Sequence, residues 1–182
     1  MQEIRLLIEK LNDENFEDFI VLLKDSDESD RGRCPDNIMI SRLREDAFST
    51  NPKYEAYLGK IGLEWVAYLI TTMSYSTFSA LPGLTIDDIY VLDDFRELGI
   101  GKAMFEFCVR KARKRGCGSI EVAVPARNRI ARKFFESNGA VPVDMSCYRI
   151  GLLDTKIGKP RKRKFSRLHP RVNKNHQLFA WM

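Results

Sequence analysis

The stretch VLDDFRELGIGKAMFEF, from Val91 to Phe107, places two glycines one residue apart at the start of an amphipathic helix. Glycine in a helix costs roughly 1 kcal/mol relative to alanine, so both glycines need a physical reason. The pattern R-x-x-G-x-G, from Arg96 to Gly101, lies between a predicted strand and a predicted helix. The backbone N–H groups at a helix start are unpaired and attract anions such as phosphate. Because glycine has no Cβ atom, it lets the backbone approach such an anion closely.

Two better-known phosphate motifs do not fit this stretch. A dinucleotide-binding fingerprint needs a third glycine where Met104 stands. A nucleotide P-loop needs glycine at Arg96 and a hydroxyl residue at Ala103. The stretch therefore predicts a loop of backbone amides around an anion without either nucleotide motif.

The length and composition indicate one domain with an appendage. The chain has 182 residues, enough to bury a substantial core. Charges at Glu3, Arg5 and Glu9 argue against a signal peptide or a membrane span near the start, so we expect a soluble cytoplasmic protein with no membrane partner. Four cysteines without a C-x-x-C pair predict reduced thiols and no metal site: Cys34, Cys108, Cys117 and Cys147.

Charge is distributed unevenly along the chain. Residues 155–182 contain nine Lys or Arg and no acids, which leaves 21 bases and 25 acids in residues 1–154, a net charge of −4. We therefore expect a folded domain over 1–154 and a basic tail over 155–182. The tail also carries Phe165, Phe179 and Trp181, a mixture that can contact nucleic acid. Nucleic acid is not the favoured partner, because no known nucleic-acid-binding fold accompanies the tail; the alternatives are docking on a partner subunit, contact with the acidic body, or disorder.

Hydrophobic periodicity predicts a meander of strands followed by alternating helices and strands. The pattern predicts a mixed α/β (α+β) fold, in which helices flank a mixed sheet. An acidic, flexible break is expected at 25–33. The predicted strands are 4–8, 54–61, 64–75, 85–91, 119–124 and 143–150, and the predicted helices are 15–24, 41–48, 99–115 and 127–137.

Together these features resemble the GNAT superfamily of coenzyme A-dependent N-acetyltransferases, whose signature is R/Q-x-x-G-x-G/A between a strand and a helix. The resemblance runs from about Ile4 to Ile150 and is strongest in DDIYVLDDFRELGIG (87–101) and VAVPARNRIARKFFESNGA (122–140). Within the superfamily, the sequence most resembles the spermidine/spermine (diamine) and thialysine acetyltransferase branch. The resemblance implies a mostly antiparallel sheet whose central strands splay, helped by a bulge, so that the arm of acetyl-CoA pairs like an extra strand.

The resemblance also implies where the cosubstrate acetyl-CoA binds, with no metal required. Backbone on the strand before the glycine loop would pair with the pantetheine, and the loop amides would hold the diphosphate. The arginines at 127, 129 and 132 either meet the 3′-phosphate or form a solvated helix face. The implied cofactor-binding residues are Ile89, Tyr90, Val91, Arg96, Glu97, Leu98, Gly99, Ile100, Gly101, Lys102 and Asn128.

Acetyl transfer requires a base for the ammonium proton and an acid for the departing thiolate. Asp87 and Asp88 match the family's acidic pair, and Asp87 takes the place of the branch's glutamate that acts through water. Adjacent strand residues point to opposite faces, so one aspartate is expected to line the acceptor channel. Phe135 stands where the branch has the tyrosine that acts as its general acid, and we expect Phe135 in the core. Bulk water, Tyr148 or Cys147 remain as proton donors.

An acidic cluster suggests the acceptor. Asp25, Asp27, Glu28 and Asp30 are expected in a loop over the acceptor site, where they form either a cation-binding wall or a solvated loop. The expected function is N-acetyl transfer from acetyl-CoA to a small cationic primary amine, such as a polyamine or a lysine-like amine, by direct attack in a ternary complex. The alternative is a CoA-binding GNAT-fold module with little or no catalysis, whose basic tail contacts nucleic acid or a protein. Superfamily habit favours a homodimer.

Overall fold

The computed structural model describes residues 5–30, 35–144 and 150; for residues 27–30 it describes the backbone only. Inter-residue contacts divide the chain after Pro142, and the helices and strands of the described residues all lie before that point. None of the helices described is both long and apolar enough to cross a membrane. The elements are β1 (Leu6–Lys10), α1 (Phe16–Asp30), α2 (Asn37–Phe48), β2 (Glu55–Ile61), β3 (Glu64–Ser76), β4 (Leu81–Val91), a 3₁₀ turn (Asp93–Phe95), α3 (Ile100–Lys114), β5 (Ser119–Val122) and α4 (Arg129–Ser137).

The five strands form one mixed sheet in the order β1-β2-β3-β4-β5. The first three pairings are antiparallel and the last, between β4 and β5, is parallel. The parallel pair follows from the crossover through α3, which returns the chain in the same direction. The predicted meander and the mixed, mostly antiparallel sheet are confirmed.

The sheet is covered on both faces, and each face has its own core. Alternate strand residues point to opposite sides, so Leu69 packs with α3 and α4 while Tyr68 packs with α1. Met104 on one side and Phe19 on the other are fully buried. Burying such a side chain contributes roughly 1.5–3 kcal/mol, so the two layers hold the sheet rigidly between them.

The first helix is longer than predicted. The acidic segment from Asp25 was expected to break the chain, but α1 continues to Asp30. Aspartate and serine cost only about 0.5 kcal/mol each in a helix, and Ser26 is buried at 7% exposure. Tertiary packing therefore outweighs local propensity, and Asp25 lies on a helix rather than in a loop.

Caps and pairing move several other boundaries. Helix α2 begins at Asn37 because Asp36 Oδ1 accepts the Met39 amide at 2.8 Å. Strand β4 begins at Leu81, four residues earlier than predicted, because its first residues pair with the end of β3. Strand β5 ends at Val122 rather than at residue 124. The expected last strand, 143–150, falls largely on residues 145–149, outside the described part, as do the tail 155–182 and Cys34.

Candidate active site

The parallel pairing of β4 with β5 stops halfway along β4. Four residue pairs run from Gly83–Ser119 to Ile86–Val122. Beyond them β5 has ended, while β4 continues beside β3 to Val91. Within the described residues, positions 87–91 of β4 therefore have no partner strand on this side. We call the resulting gap the notch, and it agrees with the splay that the family resemblance implies.

A β-bulge lies at Asp87, where the two strands part. Residues 70–71 of β3 pair with Asp88 and Ile86, so Asp87 is left as an extra residue on β4. Ile86 packs on the α3 side of the sheet. Asp88 instead points to the α1 side, where the buried Tyr68 hydroxyl donates to its Oδ2 at 2.8 Å. The extra residue shifts the alternation of side chains along β4 beyond Ile86. Asp87 is exposed and Asp88 is half-buried, and which of the two lines the acceptor channel stays a prediction.

The edge of β4 that borders the notch presents the backbone of Ile89 and Val91. The Leu92 amide donates to the Val66 carbonyl of β3 at 2.9 Å. Backbone groups alternate in direction along an antiparallel strand, so Tyr90 also bonds towards β3, whereas Ile89 and Val91 direct their N–H and C=O groups into the notch. Two of the three residues expected to pair with a pantetheine arm therefore have the required direction, and Tyr90 does not.

Arg96 lies at the end of this edge. Its Nε donates to the Val91 carbonyl at 3.0 Å, and its guanidinium pairs with Asp93 Oδ1 at 2.6 Å. The same group lies 5.5 Å from the centroid of the Tyr90 ring. These contacts fasten the start of the glycine loop to β4. Because Asp93 balances the charge of Arg96, the attraction of the loop for an anion comes mainly from its amides.

The loop and the first turn of α3 expose a set of backbone amides, which we call the amide cradle (residues 97–102). Glu97 and Gly99 both have left-handed backbone angles, with φ of 63° and 81°. The first intrahelical hydrogen bond runs from the Ala103 amide to the Gly99 carbonyl at 3.0 Å. The amides of residues 100–102 therefore have no partner within the helix. Gly99 is the N-cap and supplies no side chain to them, so the site suits a diphosphate.

The two glycines have different structural explanations. Gly99 needs its φ of 81°, a conformation that costs other residues about 1–2 kcal/mol. A Cβ on Gly99 would meet no atom within 4 Å. A Cβ on Gly101 would lie 3.4 Å from the Phe134 ring, which is ordinary contact, so packing does not demand glycine there. Close approach by a ligand stays the predicted reason for Gly101.

Asn128 caps helix α4. Its Oδ1 accepts the Ala131 amide at 3.0 Å, which leaves Nδ2 as the group that can reach a ligand. The neighbouring arginines are exposed, as both of their expected roles require: Arg127, Arg129 and Arg132.

A cavity of about 450 Å³ lies on the α1 side of the sheet, over Tyr90. The Tyr90 hydroxyl donates to Asp25 Oδ2 in a short hydrogen bond. Burial, together with that hydrogen bond and the charge of Asp25, raises the pKa of Tyr90 to about 12, so the phenol keeps its proton at neutral pH. We call the cavity the acidic pocket, because four carboxylates line it: Asp25, Glu64, Asp93 and Asp94.

Sequence patterns predicted only part of this pocket. Asp25 was expected near the acceptor, but in a loop, and neither the Tyr90 hydroxyl nor Glu64 was expected there. The available signal was that Tyr68 and Tyr90 lie on predicted strands, since a buried strand tyrosine needs a polar partner for its hydroxyl. The side chains of Asp27, Glu28 and Asp30 lie outside the described part.

Phe135 is a core residue, as expected. It is 5% exposed, and its ring centroid lies 5.9 Å from that of Phe105. It therefore cannot supply a proton to a leaving thiolate. The other candidate donors, Tyr148 and Cys147, fall outside the described residues.

Comparison with known proteins gives a consistent result. The acetyltransferase (GNAT) family model matches residues 9–140. Thialysine N-epsilon-acetyltransferase of Bos taurus is 29% identical over 118 residues, covering 59% of this chain and 69% of the relative. The crystal structure of ribosomal-protein-alanine N-acetyltransferase from Brucella melitensis biovar Abortus 2308 superposes with a TM-score of 0.67 at 25% identity, covering 81% of this chain and 99% of that one. An aminoglycoside N-acetyltransferase in complex with CoA superposes with a TM-score of 0.70 at 15% identity, covering 84% and 98%.

The notch, the bulge and the amide cradle lie within the matched residues 9–140. The match covers well over half of the chain, and the curated relatives are enzymes that acetylate an amine. The chain therefore belongs to the acetyltransferase (GNAT) family and is an acetyltransferase.

Proposed function

We propose that the protein transfers an acetyl group from acetyl-CoA to a primary amine of a small cationic acceptor, by direct attack in a ternary complex. The observation that carries the proposal is the arrangement around the C-terminal half of β4. The notch borders its edge, the amide cradle follows its end, and the acidic pocket lies over its α1 face. An anionic carrier and a cationic acceptor thus have separate sites on one strand.

The cosubstrate fits the residues around the notch. The Ile89 backbone groups and the Val91 amide are suited to pair with the pantetheine, whereas the Val91 carbonyl already accepts Arg96 Nε. The amide cradle is suited to hold the diphosphate. Asn128 Nδ2 is free of its capping role and is suited to a pantetheine carbonyl. When bound, the cosubstrate supplies an activated thioester carbonyl.

The acceptor must lose a proton before it can attack. Asp87 and Asp88 are the residues proposed to take up that proton, through a water molecule or directly. The nitrogen–carbon bond forms as the carbon–sulfur bond breaks, and the thiolate takes a proton from solvent or from a donor beyond the described residues. Tyr68 fixes the orientation of Asp88 through its 2.8 Å hydrogen bond. Asp87→Asn and Asp88→Asn, measured as pH–rate profiles, identify the base; a profile unchanged in both variants removes the pair from the chemistry.

The acidic pocket favours an acceptor with several positive charges. Relatives and structural neighbours are named for thialysine, aminoglycosides and a ribosomal-protein alanine, all of them amines. Asp93 is paired with Arg96, and the other three carboxylates attract a polyamine or an aminoglycoside more strongly than a singly charged peptide amine. We therefore propose that multiply charged amines are the preferred acceptor substrates.

The test is thiol release from acetyl-CoA with spermidine, thialysine, lysine, an aminoglycoside and an alanine-terminated peptide. We expect the highest kcat/KM with a multiply charged amine. Glu64→Gln should raise KM for that amine several-fold, whereas Glu121→Gln, an exposed change on β5 outside the pocket, should not. Equal rates across the panel would exclude the cationic acceptor, and no thiol release with any amine would exclude the proposed reaction.

A further inference from the structure

Charge is segregated between the two helical layers. Helix α1 carries six acids and one lysine, a net charge of −5. Helix α3 carries five bases and one acid, and α4 carries three bases and one acid. The two layers lie on opposite faces of the sheet, because α1 belongs to one core and α3 and α4 to the other. The layer formed by α3 and α4 is therefore a basic face.

Several bases on the basic face have no acidic partner in the described part of the chain. Lys111 and Arg115 pair with Glu55. Lys102 pairs weakly with Glu106 at 4.0 Å. Arg132 pairs weakly with Glu136 at 3.8 Å. The exposed bases left over, besides the arginines considered for the cosubstrate, are Arg110, Arg113, Lys114 and Lys133.

A groove of about 440 Å³ runs along this face, between α3 and the end of α4. Lys102, Arg110 and Arg113 line one side of it, at positions that recur on one face of the helix. At 1.5 Å per residue they span about 16 Å, the length of several phosphates of a nucleic-acid strand. Phe105, Glu106 and Val109 also line it, with Glu106 paired to Lys102, and Ser137 and Asn138 close its far side.

We propose that the α3–α4 face, defined by Arg110, Arg113, Lys114 and Lys133, binds the phosphate backbone of a nucleic acid. Guanidinium groups suit phosphate because they donate two parallel hydrogen bonds. Among the described residues of α3 and α4, Ile130 is the one large apolar side chain that is strongly exposed. The face thus lacks the apolar anchors of a membrane-binding helix or of a protein interface core.

The test is fluorescence anisotropy of the full chain with a labelled 20-nucleotide single-stranded RNA, across a series of salt concentrations. R110Q/R113Q/K114Q removes three charges from the proposed face. Each lost phosphate contact lowers the salt slope by about 0.7, so we expect a slope smaller by about 2 and binding at least tenfold weaker at 0.1 M salt. The control K24Q/R42Q/K53Q removes three exposed bases elsewhere and should change binding less than threefold.

Melting temperatures of both variants check that the fold is intact, and R110K/R113K retains the charge and should keep the salt slope. If both triple variants weaken RNA binding equally, the effect follows from net charge alone, and the proposal is overturned. Unchanged RNA binding in R110Q/R113Q/K114Q would also overturn it, since binding would then lie elsewhere, as in the tail. Tighter binding to vesicles containing anionic lipid, lost in the same variant, would make a membrane the partner instead. Acetyl transfer should be unaffected in all variants, so this result is independent of the proposed function.

Discussion

Replacing Gly99 by alanine separates the conformational role of the glycine loop from its binding role. A Cβ at Gly99 meets no atom within 4 Å, so the cost to the fold is the φ of 81° alone. That strain is worth about 1–2 kcal/mol, which lowers the melting temperature of a protein of this size by roughly 2–8 °C. We propose that the same Cβ also hinders a diphosphate bound at the amide cradle, because Gly99 lies within that loop.

Gly116 offers a matched control at the opposite end of α3. It has a φ of 68°, and a Cβ there also meets nothing within 4 Å. Gly116→Ala should therefore reduce stability about as much as Gly99→Ala, without touching the cradle. Scanning fluorimetry measures both melting temperatures, and calorimetry at a temperature where both variants are folded measures the Kd for acetyl-CoA. We expect at least a tenfold increase in Kd for Gly99→Ala, about 1.4 kcal/mol, and none for Gly116→Ala. Equal Kd values in the two variants would refute the cradle as the diphosphate site.

Two further substitutions test local contacts that stabilise the elements around the site. Burial alone would raise the pKa of Glu55, but hydrogen bonds from Arg115 and Tyr57 and the nearby positive charges lower it to about 2. Because this pKa lies below its unfolded value, the stabilisation is present above about pH 4.5 and is lost as the pH falls towards 2. After allowance for solvent screening, Glu55→Gln should cost about 1 kcal/mol at pH 7 and about a quarter of that at pH 2.5, as measured by urea unfolding; a gap independent of pH would contradict this. Asp36→Ala removes the cap of α2 and should lower the free energy of unfolding by about 1 kcal/mol, whereas Asp36→Asn, which keeps the accepting oxygen, should lower it much less.

Sequence patterns predicted those parts of the site that depend on local backbone chemistry. The glycine loop, the amphipathic helix after it and the burial of Phe135 all follow from spacing and residue type, and each is present in the structure. The Tyr90–Asp25 contact joins residues 65 positions apart and depends on how far α1 extends. A local pattern gave no reason for that helix to continue through an acidic run, since the packing that holds it lies elsewhere in the chain.

The bulge shows a second limit. Alternation along β4 predicts opposite faces for consecutive residues, and one extra residue at Asp87 reverses the pattern beyond it. Nothing in the composition of DDIYV distinguishes a bulged strand from a regular one. Only the family resemblance suggested a bulge there, and only the strand register located it.

The gap beside β4 also bears on how the protein behaves in concentrated solution. A strand that ends its pairing early offers its main-chain groups to any extended chain, including another copy, and such edges promote aggregation. Here the exposed edge is short and lies beside the guanidinium of Arg96, and both features discourage a foreign strand from annealing. Saturation with the thioester carrier should therefore slow amide exchange at Ile89 and Val91 and keep concentrated samples dispersed for longer than storage without it.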